Sequence, residues 1–163
     1  MAQAFIGVGS NIDRDHNIRA GVRALQMQFS NVIISTVYET NAIGFEGDSF
    51  FNLVVSLVTD LEPRQLQDEL HIIESKFGRK RSGGPRYASR TLDLDLLLYD
   101  DFVSDEADME IPREDVTRFA FVLCPLAEIA GELKHPVSDR CYADLWEDFE
   151  QADQELHAVK IEF

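Results

Sequence analysis

Residues 79–99 read RKRSGGPRYASRTLDLDLLLY, and how that stretch is read decides how the rest of the chain is arranged. Positions 79–90 carry five of the chain's 15 basic residues, and two aspartates two places apart then head an apolar run. In a strand successive side chains point to opposite sides. The alternation therefore predicts Asp93 and Asp95 on one face and Leu92, Leu94, Leu96 and Leu98 on the other. Carboxylates about 6 to 7 Å apart, two strand rises, can hold Mg²⁺ without a dedicated cage. Arginines beside them suit a polyphosphate, whose spread charge calls for fixed guanidinium groups as well as a metal. The plainer reading is a solvated strand face after a solvated basic loop. Against it, the chain is acidic elsewhere, yet residues 75–92 contain no Asp or Glu.

A chain of 163 residues predicts one domain, 1–163, around a single core. Hydrophobic residues at 45% argue for a folded globule. The net charge is −15, from 30 acidic and 15 basic residues, which speaks against broad binding to nucleic acid or an anionic membrane. The opening MAQAFIGVGSN lacks the basic start of a secretory signal, and no segment approaches a membrane span. Cys124 and Cys141 have no metal-ligand spacing, so both are expected reduced and partly buried. These features predict a cytoplasmic protein. Composition says nothing of oligomeric state, and a monomer is compatible with it.

Upstream, residues 4–8 (AFIGV) form a short first strand, with Asn11 or Asp13 capping the helix beyond it. Ile18, Val22, Leu25 and Phe29 then recur on one helical face. The Gly7-x-Gly9-Ser10-Asn11 run lacks both the full dinucleotide fingerprint and the P-loop lysine. Residues 32–39 (VIISTVYE) read as a second strand and 40–49 as a loop. Phe51, Leu53, Val55 and Leu57 alternate with Asn52, Val54, Ser56 and Val58 in a third. Asn52 could offer a flat heterocycle one donor and one acceptor. A second helix opens at Pro63, buries Leu66, Leu70, Ile73 and Phe77, and ends at Gly78. His71 and Glu74 sit at the border of that stripe, where a surface position is expected. After Tyr99 the acidic stretch up to Pro112 reads as irregular, residues 118–129 as a helix turned or kinked at Pro125, and the last residues as a closing strand. The order β-α-β-β-α-β predicts an α+β fold: a ferredoxin-like antiparallel sheet with helices on one face and additional C-terminal helices.

The run RYASRTLDLDLLLY at 86–99 resembles the signature of the 6-hydroxymethyl-7,8-dihydropterin pyrophosphokinases of folate synthesis. AFIGVGSN at 4–11, Tyr38-x-Thr40, Asn52 and FVLCPLAEIA at 121–130 support the likeness over nearly the whole chain. The resemblance implies diphosphate transfer from ATP to a pterin alcohol with release of AMP. It implies two Mg²⁺ ions on Asp93 and Asp95, bridging the phosphates. Arg79, Arg81 and Arg90 would join those aspartates as catalytic residues and hold the phosphates. Leu96, Arg113, His71 and Glu74 fall at the ATP end by the same likeness. For the pterin the matching positions are the backbone at Thr40 and Ala42, the Asn52 amide, and the Phe50 and Phe121 rings.

The chain also departs from that pattern. Arg113 stands where the family usually has a histidine, and Phe119 where it has an arginine, with Arg118 one place early. Tyr87-Ala88-Ser89 replaces Trp-Gly-Pro, and Asp108 and Glu110 take positions often basic and neutral. These changes bear on the ATP end. The competing readings are a paralogue with an altered acceptor and a pterin- or nucleotide-binding module without catalysis. A module that only binds has little use for paired metal-binding aspartates.

Overall fold

Strand β1 (Ala2–Ser10) lies inside the sheet, with strands hydrogen-bonded to both its edges. The computed structural model describes residues 1–42, 46–78, 91–151 and 153–163. Along β1 the alternation is sharp: Ala4, Ile6 and Val8 enter one core, and Phe5 enters another on the opposite face. Helix α1 (Arg14–Gln28) and helix α2 (Pro63–Lys76) cover the first face with Ile18, Val22, Leu25, Leu66, Leu70 and Ile73. Each of those six is at most 1% exposed, and full burial of one such side chain contributes about 1.5–3 kcal/mol.

Strands β2 (Ser30–Ile34), β3 (Val37–Thr40), β4 (Phe50–Thr59), β5 (Asp93–Tyr99) and β8 (His157–Val159) complete the main sheet. Its order is β5-β1-β4-β3-β8, β2 also pairs with β4, and the pairings are antiparallel. The expected second strand is therefore two. At the break Ser35 donates its N–H to the Val54 carbonyl at 3.0 Å, and its hydroxyl accepts the Val54 N–H at 2.9 Å. A side chain thus replaces one rung of the ladder. Strand β4 alternates as expected, with Phe51, Leu53, Val55 and Leu57 towards α1 and α2.

The side-chain cap expected for the first helix is not made, whereas the start expected for the second holds. Asp13 precedes α1 in a left-handed conformation (φ 43°) with no side-chain cap, while Asn11 bonds elsewhere. Helix α2 starts at Pro63 under a capping box made by Glu62 and Gln65.

The face expected for Leu98 does not hold. Between Phe5 and Ile6 the β1–β5 register slips, with Phe5 opposite Leu98 and Ile6 opposite Leu96. Leu97 is the extra residue of a bulge, which reverses the alternation beyond it. Leu92, Leu94 and Leu96 still join the core under α1 and α2, but Leu97 and Leu98 both join the opposite one.

The acidic stretch after Tyr99 is not irregular either. It forms a hairpin of β6 (Ser104–Glu106) and β7 (Met109–Ile111), whose Met109 and Ile111 are buried. Arg64 of α2 ties the hairpin down through ion pairs with Glu106 and with Asp108 at 2.9 Å. Those carboxylates consequently serve as anchors.

The second face is covered by α3 (Asp115–Arg118), α4 (Ala120–Ala130) and α5 (Tyr142–Glu147), so helices lie on both faces. The helix expected from 118 is split, because Phe119 is extended (φ −117°, ψ 129°) between α3 and α4. Pro125 sits inside α4 and does not end it. Helix α5 joins α3 and α4 as the expected additional C-terminal helices, at a position the sequence pattern does not mark. Glu128 holds α4 to β3 by accepting the Tyr38 hydroxyl and, at 3.0 Å, the Thr36 N–H. Cys124 and Cys141 are free thiols, each half-buried. Among the described residues no helix is long and apolar enough to cross a membrane.

Candidate functional site

On the face of the sheet covered by α3 and α4, the cross-strand rows bring distant residues into line. Asp93 lies opposite Gly9, Gly9 opposite Asn52, and Asn52 opposite Tyr38. One pleat along, Asp95 lies opposite Gly7 and Gly7 opposite Val54. Two glycines therefore separate the carboxylates from the amide, and a cleft opens above them. It has Thr40, Phe50 and Asn52 at one end and Asp93, Asp95, Arg113 and Asp115 at the other. Phe119 and Phe121 of the α3–α4 segment also line it.

Each wall has a local cause. The strand bearing the carboxylates is seated from behind: Leu92 is fully buried against Gly21, where an added Cβ would come within 2.8 Å of Leu92 Cδ1. Ser10 donates its hydroxyl to the Thr91 carbonyl at 2.5 Å, holding the entry to β5. Glu74, expected at the surface, is 1% exposed and accepts the Leu94 N–H at 2.7 Å on Oε1. That bond satisfies an outward amide of β5 midway between the two aspartates, a group that β1 cannot reach.

At the other end the Asn52 Nδ2 donates to Thr40 Oγ1 at 2.8 Å, and both residues are buried. Gly9 makes room for this arrangement, since a Cβ there would stand 2.8 Å from Asn52 Oδ1. Phe119 and Phe121 stack on one another, with centroids 5.0 Å apart at 16°.

Arg113 follows the cis Ile111–Pro112 bond and donates its backbone N–H to the Leu97 carbonyl at 3.0 Å. Its guanidinium lies 3.7 Å from Asp95 Oδ1 and 3.5 Å from Asp115 Oδ2, with 28% of the side chain exposed. Burial works against its charge, but the carboxylates of Asp95, Asp115 and Asp93 outweigh it and hold the guanidinium protonated above its ordinary range. Its buried Nε is the atom nearest Asp115 Oδ2, in an ion pair rather than a well-formed hydrogen bond. A second cleft shares Arg113 and is lined by Gln67, Leu96 and residues 107–111. Leu96 and Arg113 thus meet in that cleft.

Of the residues singled out from sequence, Asp93, Asp95, Arg113, Thr40, Phe50, Asn52 and Phe121 line the main cleft. Ala42 is half-buried two places beyond Thr40 and is not part of its lining, and neither are His71 and Glu74. Arg79, Arg81 and Arg90 lie outside the described residues. The shifted Arg118 does not enter the cleft: it is 56% exposed, pairs with Glu114 at 3.2 Å and lies over the Phe119 ring. Sequence reasoning missed Gly7, Gly9, Asp115 and Phe119. The glycines did leave a signal, because they occupy the face of β1 opposite Ala4, Ile6 and Val8.

Hard oxygen donors on a half-open wall fit Mg²⁺, which binds through one or two carboxylates and keeps other positions for water and phosphate. Among the described residues no group of three or more His, Cys, Asp or Glu forms a complete cage. The carboxylate pair alone suits an ion shared with a substrate.

Residues 5–131 match the family described as 7,8-dihydro-6-hydroxymethylpterin-pyrophosphokinase (HPPK). The 2-amino-4-hydroxy-6-hydroxymethyldihydropteridine pyrophosphokinase of Haemophilus influenzae is 36% identical over 85% of this chain and 88% of its own length. The protein of the same name from Bacillus subtilis is 31% identical over 95% of this chain and 96% of its own. Among solved structures, a Plasmodium falciparum HPPK-DHPS triple mutant with pteroate superposes with a TM-score of 0.71 at 14% identity. It covers 90% of this chain, which spans 43% of that longer one, and the likeness bears on fold alone. The match to the family profile and the identity to these relatives show that the chain belongs to the 7,8-dihydro-6-hydroxymethylpterin-pyrophosphokinase (HPPK) family.

Proposed function

We propose that this chain transfers a diphosphate group from ATP to 6-hydroxymethyl-7,8-dihydropterin in folate biosynthesis, releasing AMP. The pterin hydroxyl oxygen forms a bond to the β-phosphorus and loses its proton. The bond between the α- and β-phosphates breaks, and AMP leaves with its electron pair. The observation that carries this reading is the row Asp93–Gly9–Asn52, with a carboxylate pair and the Asn52 amide lining opposite ends of one cleft.

At the pterin end, the Asn52 amide and the Thr40 and Ala42 backbone would read the ring edge. Phe50 and Phe121 would flank its faces, each stacked pair contributing about 0.5–1.5 kcal/mol beyond area burial. At the nucleotide end, Leu96 lines the second cleft, and Arg113 stands between it and the aspartates. Asp93 and Asp95 would hold two Mg²⁺ ions, which when bound supply charge neutralisation to the polyphosphate oxygens. Arg113 is already a fixed cation beside them, and Arg79, Arg81 and Arg90 would add more. Glu74 acts behind the strand and His71 lies off the cleft, so an ATP role for either would be indirect in this arrangement. The chain's contribution is positioning and charge, without a covalent intermediate.

The strand order and antiparallel pairing support a ferredoxin-like core built from β1, α1, β2–β3, β4, α2 and β5. A cytoplasmic location, with no nucleic acid or membrane partner, belongs to the same proposal. The test is AMP release from ATP with and without the pterin, and with Mg²⁺ or EDTA. Pterin- and Mg²⁺-dependent AMP is the expected result. Pterin binding without AMP would overturn the proposal in favour of a binding paralogue.

A further inference from the structure

Arg14, the first residue of α1, contacts residues far along the chain at the ends of two different strands. Its Nη1 donates to the Ser49 carbonyl at 3.1 Å and to the Ser49 hydroxyl at 2.5 Å. Its Nη2 lies 3.0 Å from Glu39 Oε2, and its Cζ stands 4.0 Å above the centre of the Phe51 ring. Next to it, the buried Asn11 donates Nδ2 to the Asp48 carbonyl at 3.1 Å. The partners have a common location. Glu39 directly precedes Thr40, and Asp48 and Ser49 directly precede Phe50. Glu39 and Phe51 are also cross-strand partners, as are Thr40 and Phe50.

We infer that Arg14 is a positioning residue for the heterocycle end of the cleft, an inference that rests on the pterin reading above. The planar guanidinium fork spans the end of β3 and the start of β4, while the ring under it fixes its plane. Thr40, Phe50 and Asn52 are one or two residues from its contacts and face the cleft. Arg14 itself does not line the cleft, so it acts only through them. A lysine keeps the charge but cannot bridge two groups in one plane. A glutamine loses both.

The test compares wild type, Arg14→Lys and Arg14→Gln in three measurements on the full chain. These are binding of 6-hydroxymethylpterin followed by its own fluorescence, binding of a non-hydrolysable ATP analogue with Mg²⁺, and amide hydrogen exchange of the peptide covering 46–53. Misplacement of an aligned wall by an ångström or so should weaken pterin binding about tenfold or more in Arg14→Gln. Arg14→Lys should fall between, nucleotide affinity should stay within about twofold, and exchange should rise in 46–53 but not in β5. Equal loss for both ligands, or unchanged pterin affinity, would overturn the inference. A wild type that binds neither ligand sinks the functional reading instead. Exchange over 46–53 then decides the clamp alone, and no change there refutes it.

Discussion

Glu74→Ala tests whether the carboxylate strand is held from behind. Glu74 is 1% exposed and accepts the Leu94 amide at 2.7 Å, so truncation leaves a buried N–H facing a void. A hydrogen bond to a charged group is worth about 1.5–3 kcal/mol. The void adds about 1 kcal/mol, giving roughly 2.5–4 in all. For 163 residues, at about 2–4 °C per kcal/mol, the melting temperature should fall by roughly 5–15 °C. Glu74→Gln keeps a carbonyl acceptor of the same shape for the Leu94 N–H and turns the other carboxyl oxygen into an N–H donor. It should cost about 1 kcal/mol and lower melting by about 2–4 °C. Urea unfolding followed by far-UV circular dichroism gives the free energies, and calorimetry gives the melting points. If Glu74→Ala melts within about 2 °C of wild type, the bond does not support β5. If Glu74→Gln is as damaging as Glu74→Ala, the other carboxyl oxygen rather than the Leu94 contact is what matters.

Other perturbations probe the same geometry. Gly9→Ala would set a Cβ 2.8 Å from Asn52 Oδ1, so pterin affinity should drop about tenfold while nucleotide affinity holds; titration with each ligand in turn decides, and parallel losses would refute it. Arg113→Gln removes the cation beside Asp95 and Asp115, and kcat/KM for ATP should fall roughly ten- to a hundredfold, the equivalent of one charge-assisted contact; an unchanged value takes Arg113 out of the nucleotide end. Burial holds the His135 pKa below its ordinary value near 6.5, and its Nδ1 accepts the Val137 and Ser138 amides at 3.2 and 3.3 Å. The unfolded chain then binds the proton first, so this contribution is present above about pH 6.5 and is lost as pH falls from there to the lower folded value. A His135→Gln chain should lose less stability between pH 7.5 and 5.5, read by urea unfolding at each pH, and an identical slope would refute the assignment.

Much of the cleft was legible before any coordinates, and for local reasons. Asp93 and Asp95 share a face because strand alternation is a property of the backbone, and the two residues lie ahead of the bulge at Leu97. Asn52 and Phe51 part company across β4 for the same reason. Leu98 was misplaced because a bulge is a relation between two strands: one residue on β1 must face two on β5, and nothing within DLDLLLY announces it. The acidic hairpin was missed because its carboxylates look like solvated charge until Arg64, some 40 positions earlier, closes on Glu106 and Asp108. Glu74 was read as surface because its acceptor role depends on an amide of another element.

The sequence by itself determined the α+β order, both helical stripes, the alternation of β4 and the shared face of Asp93 and Asp95. Only the tertiary structure decided that Gly7 and Gly9 become a floor, that Arg113 rather than Arg118 stands beside the aspartates, and that Arg14 reaches the stems on either side of the 40–50 loop. The division reflects the range of the forces. Side-chain direction within one element is fixed by its own dihedrals. Which groups meet across strands depends on register and closure, settled when many distant, individually weak contacts are satisfied together.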